Sequence, residues 1–231
     1  MNELYTAENG EYLKKNPNWH VEDSSWKASK ILKILNQNNI VPESVAEVGC
    51  GAGEILRELQ NKMPKNVNFK GYDISIDALL LAKEKQNDKL TFLQEDFTKL
   101  EENFDLVLMI DVFEHVDDYF GFIRACRLRA KNSVFHIPLD LSAQAVLRNQ
   151  MLKNRNAFGH IHYFTKDTAL ATLIDCGHEI MDYFYTGAST ELPPKAWRTK
   201  VVNVFRNLMF KINKDLTVKL FGGYSLIVLT K

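Results

Sequence analysis

Glu47-Val48-Gly49-Cys50-Gly51-Ala52-Gly53-Glu54 is the stretch whose reading decides the fold. The apolar run leading into it, 44–50, has the length and β-branched content of a buried strand. The segment behind it, 53–63, carries apolar residues at helical spacing. Glycines between a strand and a helix let the backbone turn tightly and let a ligand approach it closely. The helix that follows turns its free N–H groups and positive dipole end toward that ligand, which suits a phosphate or a carboxylate. Spacing narrows the choice. A dinucleotide fingerprint, G-x-G-x-x-G, would place its third glycine where Glu54 stands, and no Gly-Lys-Ser/Thr follows to make a P-loop. The pattern here is E-x-G-x-G-x-G.

Working outward, strand-like runs recur at 67–74, 90–96, 104–112, 133–138, 178–186 and 224–230, with helical patterns at 77–86 and 117–130 between them. A further helix opens at Thr165, a good N-cap, repeats Leu170, Leu173 and Ile174 on one face, and ends at Cys176-Gly177. This alternation predicts an α/β domain with a parallel-rich sheet and helices on both faces. Acids stand at the strand ends. Asp73, twenty residues beyond Gly53, is placed to accept two ribose hydroxyls, and Asp96 with Phe97 is placed to address an adenine. Two pieces fall outside the alternation. Residues 1–40 form an N-terminal cap segment whose helix, 25–37, has Ala28, Ile31, Leu32 and Leu35 on one face, ahead of a domain spanning 41–231. Residues 187–223 are an insertion before the last strand, with Val201, Phe205, Leu208 and Ile212 on one helix face.

At 231 residues the chain is long enough to bury a core without disulfides or metal. Lys plus Arg and Asp plus Glu both number 29, and that balance argues against duplex nucleic acid, which selects a basic excess. The charge is uneven: the insertion holds seven Lys/Arg against Glu191 and Asp215, a net +5, and the remainder carries −5. Cys50, Cys126 and Cys176 are scattered, which excludes a disulfide framework or zinc ribbon and points to a reducing compartment. Cys50 reads as a small buried filler. Residues 1–20 lack the apolar stretch of a signal peptide, and no apolar run is long enough to span a bilayer. The expectation is a cytoplasmic protein with no transmembrane segment.

Together these residues resemble the class I S-adenosylmethionine-dependent methyltransferases. The likeness covers about residues 40–186 and rests on Glu47 to Gly53, on Asp73, on Glu95-Asp96-Phe97, and on the run from Phe104 to Val116, FDLVLMIDVFEHV. The resemblance implies a Rossmann-like, doubly wound seven-stranded sheet in the order 3-2-1-4-5-7-6 with the last strand antiparallel. Ligands then sit outside the carboxyl ends of the strands, where the order reverses. It implies S-adenosylmethionine as cofactor, with S-adenosylhomocysteine as its product. Gly49, Gly51 and Gly53 would line the methionine part, Glu47 would support the loop, and Asp111 would lie near the methionine amine. Asp73 would bind the ribose with Ile74 on the adenine, and Asp96 would take the adenine amine with Phe97 beside it. The alternative is that Asp73 and Asp96 are ordinary strand-terminal caps.

A sulfonium methyl is an activated electrophile, so an enzyme using it aligns it with a nucleophile about 3 Å away and excludes water. A base is needed where the acceptor is a hydroxyl. The candidates at the strand edge are Asp111, Glu114, His115 and His160, followed by His162, and histidine alone takes a proton near neutral pH without a large shift. In extended backbone His160 and His162 share a face, opposite Ile161 and Tyr163. His20, His136 and His178 read as structural or surface residues. The resulting expectation is methyl transfer to a hydroxyl oxygen of a small-molecule metabolite, nucleotide-linked or phosphorylated if the basic insertion serves it. The alternative is a catalytically inactive S-adenosylmethionine-binding partner protein. The insertion helix can cover the acceptor pocket, join two copies as a homodimer, touch anionic lipid, or pack with a solvated face. Tyr12 and Trp19 can close as a lid, or Trp19 and Trp26 can pin the first helix to the sheet. Asp111-x-x-Glu114-His115 followed by His160 also resembles the E-x-x-E-H…H pattern of metal-dependent small-RNA 2′-O-methyltransferases. That resemblance implies a divalent ion on two carboxylates and two imidazoles, although Asp111 stands where a longer Glu is usual. The metal-free site, with His115 or His160 as base, is the preferred expectation.

Overall fold

A computed structural model of the chain describes residues 21–192 and 197–231, the side chains of residues 189 and 197–202 excepted. Tyr12, Trp19 and His20, and with them the lid, lie outside the described residues. Helix α1 (Ser24–Gln37) buries Ala28, Ile31, Ile34 and Leu35, close to the face expected from its spacing. It leads into β1 (Ser44–Val48), α2 (Glu54–Lys62), β2 (Asn68–Asp73), α3 (Ile76–Lys83), β3 (Leu90–Gln94) and β4 (Phe104–Ile110). Next come α4 (Tyr119–Arg127), β5 (Ala130–Pro138), the short helices α5 (Ala143–Leu147) and α6 (Gln150–Phe158), α7 (Lys166–Asp175) and β6 (Ile180–Thr186). The chain closes with α8 (Ala188–Glu191), α9 (Trp197–Ile212), α10 (Lys214–Phe221) and β7 (Ser225–Thr230).

The strands form one sheet in the order β3-β2-β1-β4-β5-β7-β6. β1 to β5 pair in parallel, and β7 runs antiparallel to both β5 and β6. Both faces are covered, so the central strands read as nearly unbroken apolar runs. In β4, Leu106 and Leu108 pack into the layer with α1 and α2, while Val107 and Met109 face the layer with α4 and α7. β1 and β4 are neighbours whose chains leave in opposite lateral directions, which opens a crevice at their carboxyl ends. The turn after β1 needs its glycines. Gly49 and Gly53 have φ of +69° and +73°; a Cβ on Gly49 would meet Val112 Cγ2 at 2.6 Å, and one on Gly53 would meet the Phe92 ring at 2.4 Å.

Two features differ from the expectation. The stretch after β5 contains α5 and α6, joined at Asn149 with φ of +51°, where no helix was expected. The insertion is helical, but the apolar residues Phe205, Leu208 and Ile212 face outward, and the side chain of Val201 lies outside the described residues. Other residues hold α9 to the body: Phe210 stacks on Tyr224 with centroids 5.0 Å apart, and Arg206 donates to the Gly222 carbonyl. Among the described residues no helix is long and apolar enough to cross a membrane.

Candidate active site

A cavity of about 900 Å³ occupies the crevice at the carboxyl ends of β1 and β4, and Gly49, Gly51, Asp73, Asp96, His115 and His160 are among its lining. That size holds a ligand of the drug-sized class with space beside it. Gly49 and Cys50 donate their N–H groups to the Tyr72 carbonyl at 2.8 and 3.1 Å, locking the turn to β2. Asp73 is fixed by the same turn, accepting from Gly51 N and Ser75 N, each at 2.8 Å. Burial pushes its carboxyl above the ordinary value, and those N–H groups pull against the shift. Ile74 lies beside it in the lining. Asp96 caps a short turn, its Oδ1 accepting from Thr98 N at 3.1 Å and Thr98 Oγ1 at 2.6 Å. Burial opposes its charge, but Thr98 and Lys99 outweigh burial and hold its pKa below the usual value.

Not every expected cofactor residue faces the cavity. The Phe97 ring is buried in the core, with centroids 5.2 Å from Tyr72 and 6.0 Å from Phe104. Gly53 spends its missing side chain on Phe92 and on the start of α2. Glu47 is buried against the cavity, and its Oε2 has no hydrogen-bond partner among the described residues. Burial pushes its pKa well above the ordinary value, against the pull of Lys27.

Asp111 sits at the end of β4 with φ of +52°, a left-handed backbone that costs a non-glycine residue about 1–2 kcal/mol. Its side chain repays the strain through two partners: Oδ1 meets His136 Nδ1 at 2.6 Å and Oδ2 meets Lys27 Nζ at 2.9 Å. Burial opposes its charge, yet His136 and Lys27 outweigh burial and hold the carboxyl well below the usual range. Burial likewise works against the Lys27 ammonium, and Asp111 with Asp23 keeps its pKa above that of an ordinary lysine. His136, which reads as structural in the sequence, lines the cavity and bonds Thr186 Oγ1 through Nε2 at 2.9 Å. Trp26 meets His136 edge-on at 5.9 Å and donates Nε1 to Glu191 at 3.0 Å, with Lys30 on the same carboxylate. Helix α1 is thereby tied across the sheet edge as one wall of the cavity. The expectation for Asp111 as a free base or metal ligand is corrected, because both of its oxygens are engaged by side chains of this chain.

The remaining groups gather on the opposite side. Glu114 is fully buried; its backbone carbonyl accepts from Ile161 N at 2.9 Å and His162 N at 3.1 Å, which draws the 159–163 segment beside His115. Neither Glu114 carboxyl oxygen has a hydrogen-bond partner among the described residues; burial, then the nearby Asp111 charge, pushes its pKa well above the ordinary value. The His115 and His160 rings lie 4.9 Å apart, near perpendicular. Burial, with the His160 ring beside it, pushes the His115 pKa down to about 4. His160 Nδ1 meets Asp140 Oδ2 at 2.5 Å, so the ring orientation is set by a carboxylate just beyond β5. His162 is elsewhere: Nε2 bonds the Val116 carbonyl at 2.9 Å and the ring packs 4.4 Å from Tyr119. The expected shared face of His160 and His162 is corrected, since each ring is claimed by a different neighbour. One potential ligand atom each from Glu114, His115 and His160 lies within 4.8 Å of the others. Asp140 and Lys27 escaped the sequence reading. Asp140, two residues past a strand end, was open to the rule that found Asp73, whereas Lys27 reaches the site from a helix distant in sequence.

A methyltransferase-domain family model matches residues 21–176. The mitochondrial ubiquinone biosynthesis O-methyltransferase of Candida albicans is 39% identical over 94 residues, 37% of this chain and 27% of that protein. The ubiquinone biosynthesis O-methyltransferase of Actinobacillus pleuropneumoniae serotype 7 is 27% identical over 149 residues, 57% of this chain and 62% of that protein. This chain therefore spans 27% and 62% of the length of these two curated relatives. Among solved structures, N-methyltransferase NodS from Bradyrhizobium japonicum WM9, in complex with S-adenosyl-L-homocysteine, aligns with a TM-score of 0.63 at 14% identity, over 99% of this chain and 98% of that one. With the reversed-order sheet, the glycine turn and a family match over more than half its length, the chain belongs to the methyltransferase-domain family of class I S-adenosylmethionine-dependent methyltransferases.

Proposed function

We propose that this chain transfers a methyl group from S-adenosylmethionine to a hydroxyl oxygen of a small molecule, with His160 as the base. The observation that carries the reading is the Asp140–His160 pair at the cavity wall. With Nδ1–H donated to Asp140, the imidazole keeps Nε2 as its proton acceptor, the tautomer a base requires. The residues around the glycine turn fit the cofactor. Glu47 Oε2 is a buried acceptor without a donor, suited to the ammonium of a methionine moiety, and Asp73 and Asp96 line the same cavity as acceptors for ribose and adenine. When bound, S-adenosylmethionine supplies the activated methyl group. Gly49 and Gly51 leave room for close approach, α1 walls the site from water, and His160 takes the proton released at the acceptor oxygen.

The cavity favours an apolar or amphiphilic acceptor over a phosphorylated one. Val112, Val116, Phe122, Ala125 and Phe158 line it, and Lys27, already paired with two carboxylates, is the sole Lys or Arg among the described lining residues. The names of the curated relatives, O-methyltransferases of ubiquinone biosynthesis, agree with this reading. Calorimetry with S-adenosylmethionine, followed by transfer of labelled methyl to fractions of a cell extract, tests it. Transfer to a hydroxyl-bearing compound, abolished by His160→Ala, is expected. Binding with no transfer to any fraction would instead make the chain a cofactor-binding partner protein.

A second reading has its own observation. Glu114, His115 and His160 fit a divalent cation, since the Glu114 carboxyl is buried without hydrogen-bond partners and both imidazoles stand within reach. Such an ion would supply Lewis-acid activation of the acceptor hydroxyl. Activity after chelation, with Mg²⁺, Mn²⁺ or Zn²⁺ added back, separates the two: full activity in chelator leaves His160 acting alone, and loss restored by one metal establishes the ion.

A further inference from the structure

Helices α5, α6, α9 and α10 leave large apolar side chains in solvent. Leu147 is 84% exposed and Leu152 63%, and on α9 Val204, Leu208 and Ile212 are 71%, 57% and 72% exposed. These are not stray surface residues. Phe221 at the end of α10 joins the two helical pairs: its ring meets Phe205 of α9 at 5.7 Å, and its carbonyl accepts from the Gln144 amide of α5 at 2.6 Å. Large apolar side chains exposed on helices joined in this way mark an interaction site.

The charge around the face selects its partner. Residues 141–167 carry Arg148, Lys153, Arg155 and Lys166 against Asp167, which Lys219 meets at 2.8 Å, and 203–221 carry Arg206, Lys211, Lys214 and Lys219 against Asp215. Asp215 is itself neutralised, 2.7 Å from Lys166 and 2.5 Å from the Tyr185 hydroxyl. A second copy meeting this face about a two-fold axis would set like charges against each other. A surface of anionic headgroups over an apolar interior matches both halves of the pattern. The face also runs into the cavity. Phe158, the last residue of α6, is 38% exposed, lines the cavity, and has its ring 5.8 Å from that of His160.

We propose that the exposed faces of α5–α6 and α9–α10 form a docking surface for an anionic phospholipid bilayer, with the cavity mouth at Phe158 turned toward the membrane interface. The docking rests on the surface itself. Entry of an amphiphilic acceptor from the bilayer past Phe158 rests on the methyl-transfer reading.

Co-sedimentation of the full chain with vesicles tests the docking without reference to activity. Vesicles containing phosphatidylglycerol are expected to bind roughly tenfold or more tightly than vesicles of phosphatidylcholine alone, with binding weakened by salt. Leu147→Glu combined with Leu208→Glu is expected to abolish sedimentation while circular dichroism and S-adenosylmethionine binding stay unchanged. Lys153→Glu combined with Lys211→Glu is expected to remove the preference for phosphatidylglycerol. No sedimentation, or equal binding to both vesicle types, overturns the proposal. A dimer in light scattering that the leucine variants dissociate also overturns it, by giving the face to a second copy. Failed docking with intact cofactor binding and methyl transfer leaves the enzymatic reading standing; docking without transfer does the reverse.

Discussion

A histidine whose Nδ1 is held by a carboxylate has one nitrogen left with which to accept a proton, and that constraint makes Asp140 a positioning residue for His160. In Asp140→Asn the side-chain amide can donate to Nδ1, which moves the ring proton to Nε2 and removes the base. The expected result is a fall in kcat on the order of a hundredfold, with the S-adenosylmethionine Kd unchanged because Asp140 is not among the described residues that line the cavity. An unchanged kcat, or a Kd that falls away with it, would return Asp140 to a structural role. Asp73 makes the complementary case. Its oxygens already accept from Gly51 N and Ser75 N, so its removal loosens the turn as well as any ribose contact. Asp73→Ala should weaken S-adenosylmethionine binding by about 1.5–3 kcal/mol, the size of a hydrogen bond to a charged group, and calorimetry on a variant of native circular dichroism reads that directly.

At the scale of elements, the turn between β1 and α2 joins fold and site. Gly53→Ala meets two costs: a left-handed φ of +73° and a Cβ 2.4 Å from the Phe92 ring. The left-handed backbone alone costs about 1–2 kcal/mol, so a lowered urea midpoint is expected, and an unchanged midpoint would mean the turn relaxes freely. Elements with an inward apolar face were legible in the sequence because period reports burial. The strands, α4 and α7 follow that rule, and Thr165 forms the expected N-cap within a full capping box. Helices α5 and α6 were not legible, because Val146, Leu147 and Leu152 point to solvent and leave no inward stripe to detect. The insertion was legible as a helix but not in its orientation. Its outward face is set by the stacking of Phe210 on Tyr224 and the Arg206 bond to Gly222, partners from outside the helix. The same limit applied within the site: strand-end acids such as Asp73 could be read from position, whereas the pairing of Asp111 with Lys27 and His136 joins three separate elements.

Across the whole molecule, buried histidines tie stability to pH. His178 is buried between β5 and β7, with Nδ1 2.8 Å from Thr230 Oγ1 and its ring edge-on to Phe135 at 5.1 Å. Burial, with the Arg127 charge adding to it, pushes its pKa down from 6.5 to about 4. The sign follows from proton counting. Between those two values the unfolded chain binds a proton that the folded chain refuses, so falling pH favours unfolding. The contribution of His178 is fully present above pH 6.5 and is lost as pH falls toward 4. Other buried groups are also linked to pH: His115 acts in the same direction, and Glu47 and Glu114, with raised values, act against it. A comparison with His178→Gln isolates the one group. Urea unfolding of both proteins from pH 7.5 to pH 4 should show the wild type losing at most about 3 kcal/mol relative to the variant, because a tenfold change in proton affinity is worth about 1.36 kcal/mol. The loss should be confined to the acid side of about pH 6.5. A stability difference that stays flat across that window would mean that His178 takes up its proton in the fold without penalty, and that the β5–β7 core opens to admit water around it.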